Sequence, residues 1–194
     1  TLIAGIGFSE IDIPEAGRIR VDGNLTDWRR AKWIPIETVI QGNTNNISNA
    51  RWSTAWDEDA VIYIALQYDD ADIVLQNGTH SQDGIEIYVR SDTGSAPKEY
   101  AEKQQSAQRY SIGLSNDETT TWVRLGDFEK IPIHNKASAV AKIENNTFTY
   151  EARVPLYDWF DDKLRSKCSK SEIYIGDEIG LDIAIIDARK DGAI

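Results

Sequence analysis

Alternation rather than helical periodicity dominates the chain. Apolar runs rich in β-branched and aromatic residues recur between short clusters of turn residues, the signature of strands and tight connections. In Gly84–Arg90, Ile85, Ile87 and Val89 point one way and Glu86 and Tyr88 the other, which predicts a strand with one buried face. Val61–Leu66 is almost wholly apolar, as a central strand covered on both faces requires. Two hairpins are expected. One joins Ala50–Trp56 to Ala60–Tyr68 through Asp57-Glu58-Asp59, and the other joins Ala137–Ile143 to Thr147–Leu156 through Glu144-Asn145-Asn146. Arg109–Leu114, Thr120–Leu125 and Ile179–Ile186 supply further strands, and Trp33–Glu37 a short one.

Helical signals are few. One turn is expected over Asp27–Lys32, capped by Thr26 or Asp27. Short helices are expected in Glu99–Gln108, at the end of a long polar loop, and over Tyr157–Ser166. Residues 1–17 read as an N-terminal extension or edge strand. About eight to ten strands, with no internal repeat and no interdomain linker, give an all-β chain. The expectation is a single domain over residues 1–194, a β-sandwich of two mostly antiparallel sheets.

Composition narrows the function. At 194 residues and 41% hydrophobic, the chain can bury a core without disulfides or a metal. The 21 Lys+Arg against 32 Asp+Glu leave a net charge of −11 with no basic run. That argues against nucleic acid, whose phosphates call for clustered Lys and Arg. No apolar stretch nears the roughly 18 residues of a membrane-spanning helix, so no membrane insertion is expected. Cys168 is the one cysteine, which excludes an intrachain disulfide and thiol clusters. The chain begins at Thr1 rather than Met, which reads as a mature product or an excised domain.

Catalytic chemistry finds little support. There is no nucleophile elbow of the G-x-S-x-G type, and Cys168 sits between lysines with no identifiable base. The best carboxylate pair for glycoside hydrolysis is Asp83 with Glu86; the plainer reading is a hydrogen-bonding or solvated sheet face. Asp69 and Asp70 close one strand and Asp83 precedes the next, an oxygen-rich group suited to structural Ca²⁺, although turn and cap chemistry explains aspartates equally well. His80 lies in a polar loop, and His134 has no evident partner.

Six tryptophans are many for this length. Trp52 and Trp56 share one strand face and read as core, while Trp28 and Trp33 read as caps on the sandwich. Trp122 alternates with polar neighbours and is the best candidate for an exposed stacking surface.

These segments together resemble family 9 carbohydrate-binding modules. Val21-Asp22-Gly23-Asn24-Leu25-Thr26-Asp27-Trp28 resembles the opening I-D-G-x-L-x-D-W. Trp56-Asp57-Glu58-Asp59 with Ile62-Tyr63-Ile64-Ala65 resembles the W-D-E-x-x-L-Y-V hairpin, and Asp83–Val89 resembles D-S-V-E-I-F-I. Tyr150–Leu156, Gly176–Asp182 and Ile186-Asp187-Ala188 follow in the same order. The resemblance implies a β-sandwich shared with the DOMON-like superfamily and a non-catalytic accessory module of a secreted, extracellular or cell-surface protein, often with structural Ca²⁺. It keeps the strand glutamate as Glu86 and puts an arginine near Arg109 or Ser111; the carbohydrate site is accordingly expected on the face of Glu86 and Tyr88, with His80, Arg109 and Asp182 at its edges and Trp122, where exposed, as a further stacking surface. The partner would be an oligo- or polysaccharide.

The pattern also departs from that of sugar-binding members. His80 stands where they carry one stacking tryptophan, Ala184 where they carry a glutamine, and the chain stops at Ile194 before the segment that holds their second tryptophan. An interaction or structural domain with a protein partner is therefore the alternative. A haem-binding DOMON-type domain is a minor one; no haem is expected, since methionine is absent.

Overall fold

The computed structural model describes residues 2–5, 10–42, 46–75, 82–91, 107–116, 120–125, 136–160 and 165–188. It is a sandwich of two antiparallel sheets. The six-stranded sheet contains β1 (Leu2–Gly5), β3 (Thr38–Gln41), β6 (Gly84–Arg90), β7 (Ala107–Leu114), β8 (Thr121–Leu125) and β13 (Gly180–Asp187), in the order β3-β1-β13-β6-β7-β8. The five-stranded sheet contains β2 (Ile34–Pro35), β4 (Ile47–Asp57), β5 (Val61–Asp70), β9 (Ser138–Glu144) and β10 (Thr147–Pro155), in the order β2-β4-β5-β10-β9. A small ribbon pairs β11 (Tyr157–Trp159) with β12 (Ser169–Lys170).

The two hairpins form where local chemistry places them. Asn145 and Asn146 both take positive φ (51° and 67°), the conformation a two-residue connection between twisted strands requires, and Thr147 then pairs with Glu144. In the other hairpin Ala60 takes the left-handed position (φ 49°) and its amide donates to Asp57 O at 3.0 Å. β5 is central in its sheet, as its apolar run implied.

Between the sheets, Trp52, Ile62, Ile64, Leu66, Tyr68, Phe148 and Tyr150 meet Ile85, Ile87, Tyr110, Ile112, Ile183 and Ile185, all buried. Tyr68 and Phe148, paired across β5 and β10, stack with ring centroids 4.8 Å apart. Trp52 is therefore core, as expected, with Trp56 packed against it. Along one edge the Ala141 amide donates to Thr121 Oγ1 at 2.8 Å, tying β9 to β8.

The segment from Glu10 to Trp33 is a strap across the outer face of the five-stranded sheet. It enters beside β4, where Trp56 N donates to Pro14 O (3.0 Å) and Ala16 N donates to Trp56 O (2.5 Å). Trp28 then buries against Ala55 and Ala65, with Ile19, Leu25 and Trp33 around it. Small residues on that face leave room for the indole.

Three expectations need correcting. The early turn is a 3-10 turn over Leu25–Trp28, capped by Asn24, whose side chain accepts from Thr26 N; Asp27 instead accepts from Arg20 N. Of the helix expected over Tyr157–Ser166, Tyr157–Trp159 is strand, residues 161–164 lie outside the described residues, and Arg165 and Ser166 begin a 3-10 turn that runs to Lys167. Tyr157 and Phe160 pack edge-on in the core, and the Ser171 amide, just past the second strand of the ribbon, donates to Leu156 O. Ala107 and Gln108 belong to β7; the rest of the expected helix over 99–108 lies outside the described residues. Among the described residues, no helix is long and apolar enough to cross a membrane.

Candidate functional site

Because side chains alternate along a strand, packing the isoleucines of β6, β7 and β13 inward turns a second set outward. Register then aligns that set in rows across the six-stranded sheet. Asp182, Tyr88 and Arg109 form one row. Ala184, Glu86 and Ser111 form the next. Ile186, Gly84, Gly113 and Trp122 form the third.

The rows interact. Tyr88 Oη donates to Glu86 Oε2 in a short hydrogen bond, and Ser111 Oγ donates to Glu86 Oε1 at 3.3 Å. Burial, and after it the Glu86 carboxylate, raises the Tyr88 hydroxyl well above the ordinary phenol range, while Arg109 beside it pulls the other way. Tyr88 is therefore a proton donor at every working pH. Asp182 is exposed, with Oδ1 accepting from the Ile183 amide at 2.8 Å. A Cβ at Gly113 would lie 2.6 Å from Trp122 Cζ2 and 2.6 Å from Gln82 Nε2, so the indole occupies space that only glycine leaves open. The face thus offers two carboxylate acceptors, a guanidinium donor, two hydroxyls and two aromatic rings, all half-buried or exposed apart from Ser111. Such a set hydrogen-bonds neutral polyhydroxylated ligands and packs against their apolar faces.

A second polar cluster closes one end of the core. Asp70 ends β5, Asp187 ends β13, and Asp83 precedes β6; their relative exposures are 1%, 5% and 0%. One carboxylate oxygen from each lies within 4.8 Å of the others. Asp83 also staples the chain, with Oδ2 accepting from Val74 N at 2.5 Å and Oδ1 from Ala188 N at 2.9 Å. Burial pushes the Asp83 carboxyl up to about 8, and the adjacent Asp70 adds to the shift. Tyr68 and Tyr150, with hydroxyls 3.5 Å apart, are raised too, chiefly by burial and partly by these aspartates. An all-carboxylate donor set of this closeness fits a hard cation such as Ca²⁺.

The opening motif serves the strap. Glu151, on β10 opposite Ala65, has no exposed surface. Its Oε2 accepts from the amides of Asp22 (3.1 Å), Gly23 (2.5 Å) and Asn24 (3.1 Å), and its Oε1 from Trp28 Nε1 (2.8 Å). Gly23 takes φ +76°, and a Cβ there would meet the Lys142 side chain at 2.5 Å, which explains the glycine.

Of the carbohydrate candidates, Glu86, Tyr88, Arg109, Asp182 and Trp122 share one sheet face. His80 and His134 lie outside the described residues. Of the metal candidates, Asp70 and Asp83 come together, but Asp69 does not join them. One residue earlier on β5, it points to the opposite face, where it accepts from Asn49 Nδ2 (2.6 Å) and Thr147 Oγ1 (2.5 Å). Asp187 takes its place; alternation from Ile183 and Ile185 puts it inward, but only the pairing of distant strands brings it to Asp70. The Asp83–Glu86 pair is split between the inner and outer faces of the six-stranded sheet, so the two carboxylates do not flank one bond.

A family model described as "Carbohydrate family 9 binding domain-like" matches residues 21–194. No curated protein is similar enough in sequence to match. Among solved structures, a carbohydrate binding module of family 9 from Caldicellulosiruptor kristjanssonii, in complex with cellotriose, has a similar fold, with a TM-score of 0.66 at 18% identity. The match covers 93% of this chain and 78% of that one.

Proposed function

Since the chain belongs to the carbohydrate family 9 binding domain-like family, we propose that it takes a sugar on the outer face of its six-stranded sheet, around Glu86. The observation that carries this reading is the register, which gathers Glu86, Tyr88, Arg109, Ser111 and Trp122 on one face from three strands. Glu86 accepts from sugar hydroxyls, Arg109 donates to them, and Tyr88 holds Glu86 in place. Trp122 supplies the apolar surface. The module binds its sugar without catalysis. The setting is an extracellular or cell-surface protein that acts on or adheres to polysaccharide. Asp70, Asp83 and Asp187 hold Ca²⁺, supplying part of the roughly six to eight oxygens the ion takes and joining the ends of three strands.

The test is calorimetric titration against a panel of oligo- and polysaccharides with Ca²⁺ present. Arg109→Ala removes charge-assisted hydrogen bonds worth roughly 1.5–3 kcal/mol, a loss of about tenfold or more in Kd. Glu86→Ala is expected to abolish measurable binding. A folded protein that binds nothing in the panel, or whose binding survives both substitutions, overturns the reading.

A further inference from the structure

The strap leaves part of the outer face of the five-stranded sheet open. Alternation and register place Arg51, Gln67, Thr149 and Lys142 in one outward row across β4, β5, β10 and β9. On one side the next row is Ser53, Ala65 and Glu151, where the strap turn at Asp22–Asn24 sits. On the other side it is Asp69, Thr147 and Glu144. Three strand spacings separate Arg51 from Lys142, about 14 Å. Arg51 is exposed and the other three are half-buried, so the row forms a ledge beside the strap.

Hydrogen bonding within the row runs one way. Arg51 Nη2 donates to Gln67 Oε1 at 2.8 Å, and Gln67 Nε2 donates to Thr149 Oγ1 at 3.1 Å. Each acceptor is thus engaged by its neighbour, and donors remain. They are most of the guanidinium N–H groups, the second amide hydrogen of Gln67, the Thr149 hydroxyl, and the Lys142 N–H groups not spent on Asp22 O at 2.8 Å. Trp33, at the end of the strap, holds the guanidinium over its ring, with Cζ 4.7 Å from the centroid. In the adjoining row Asp69 is taken up by Asn49 Nδ2 and Thr147 Oγ1, while Glu144 is exposed at the hairpin end. On a chain of net charge −11, a donor-rich row with a cation at each end suits an anionic, acceptor-rich ligand.

We propose that this ledge is a second binding surface, on the sheet opposite Glu86, for the carboxylates of an acidic polysaccharide. Arg51 grips one uronate, Lys142 attracts another, and Gln67 and Thr149 donate to the sugar oxygens between them. The sugar class rests on membership of the family; the ledge itself does not depend on the Glu86 site.

The experiment is calorimetric titration of the full chain with a 1,4-linked galacturonate pentamer and with its methyl ester, without added Ca²⁺ so that no ion bridges the uronates. The acid is expected to bind at least tenfold more tightly than the ester, and its affinity to fall as salt rises. Arg51→Ala is expected to lose about tenfold or more, and Arg51→Lys, which keeps the charge without the planar fork, to lose part of that. Gln67→Glu, which sets a carboxylate in the middle of the row, is expected to abolish binding; circular dichroism melting checks that each variant is folded. Equal binding of acid and ester, or acid binding that survives Arg51→Ala and Gln67→Glu in folded protein, overturns the proposal. So does acid binding that Glu86→Ala abolishes, which would assign it to the other sheet. Equal competition by inorganic sulfate or by a pentaglutamate peptide overturns the sugar assignment. Binding of the acid with silence from every neutral sugar upholds the ledge and overturns the Glu86 reading alone.

Discussion

Glu151 is a fully buried carboxylate surrounded by donors: three backbone amides and an indole N–H converge on its two oxygens. Removing the acceptor leaves the buried Trp28 indole N–H and the part-buried amides of Asp22, Gly23 and Asn24 without it. Glu151→Ala is therefore expected to cost roughly 3 kcal/mol, measured by urea unfolding. Glu151→Gln is expected to cost nearly as much, because one oxygen becomes an NH₂ that faces donors rather than accepting from them. At this scale the legibility of the sequence follows the period-two rule. Ile85, Ile87 and Val89 fix which way Glu86 and Tyr88 turn, and the same rule separates Asp69 from Asp70. It cannot reveal what meets across strands distant in sequence. Asp187 approaches Asp70 and Asp83 only because β13 pairs with β6 and the two sheets face each other. The role of Glu151 was hidden for the same reason, since its partners lie more than 120 residues away.

At the level of strands, the two hairpins were legible because their turns are local, down to the paired asparagines. The ribbon over Tyr157–Trp159 was not, because its partner strand and the core contacts of Tyr157 and Phe160 override a short segment's preference. The strap left only a faint trace: alanines at positions 55 and 65, unusual in strands unless something packs closely above them. β3 is the reverse case, an edge strand whose four residues are all exposed, Ile40 at 60%. Uncharged, apolar edges invite pairing with other chains. Ile40→Lys is expected to change unfolding free energy by no more than about 0.5 kcal/mol while reducing concentration-dependent association in light scattering.

For the whole molecule, the aspartate cluster is expected to tie stability to pH and, on the proposed reading, to calcium. The Asp83 carboxyl stands at about 8 in the folded chain against an ordinary 3.8, raised by burial first and by Asp70 after it. The folded chain therefore keeps a proton that the unfolded chain releases. This contribution is full below about pH 4 and is lost as the pH rises through about 8. With a chelator present, the melting temperature is expected to fall between about pH 5 and pH 8. Added Ca²⁺ should restore it, most strongly at the upper end, and Asp187→Asn should blunt that response. The strap and β1 carry a different consequence. The family pattern starts at residue 21, yet β1 sits inside its sheet between β3 and β13, and residues 14–16 bond to Trp56. A fragment starting at Val21 would keep every recognisable motif while orphaning β3 and freeing one rim of β4. Its expected early melting in circular dichroism would mean that the stretch inherited in recognisable form and the stretch that folds together have different edges.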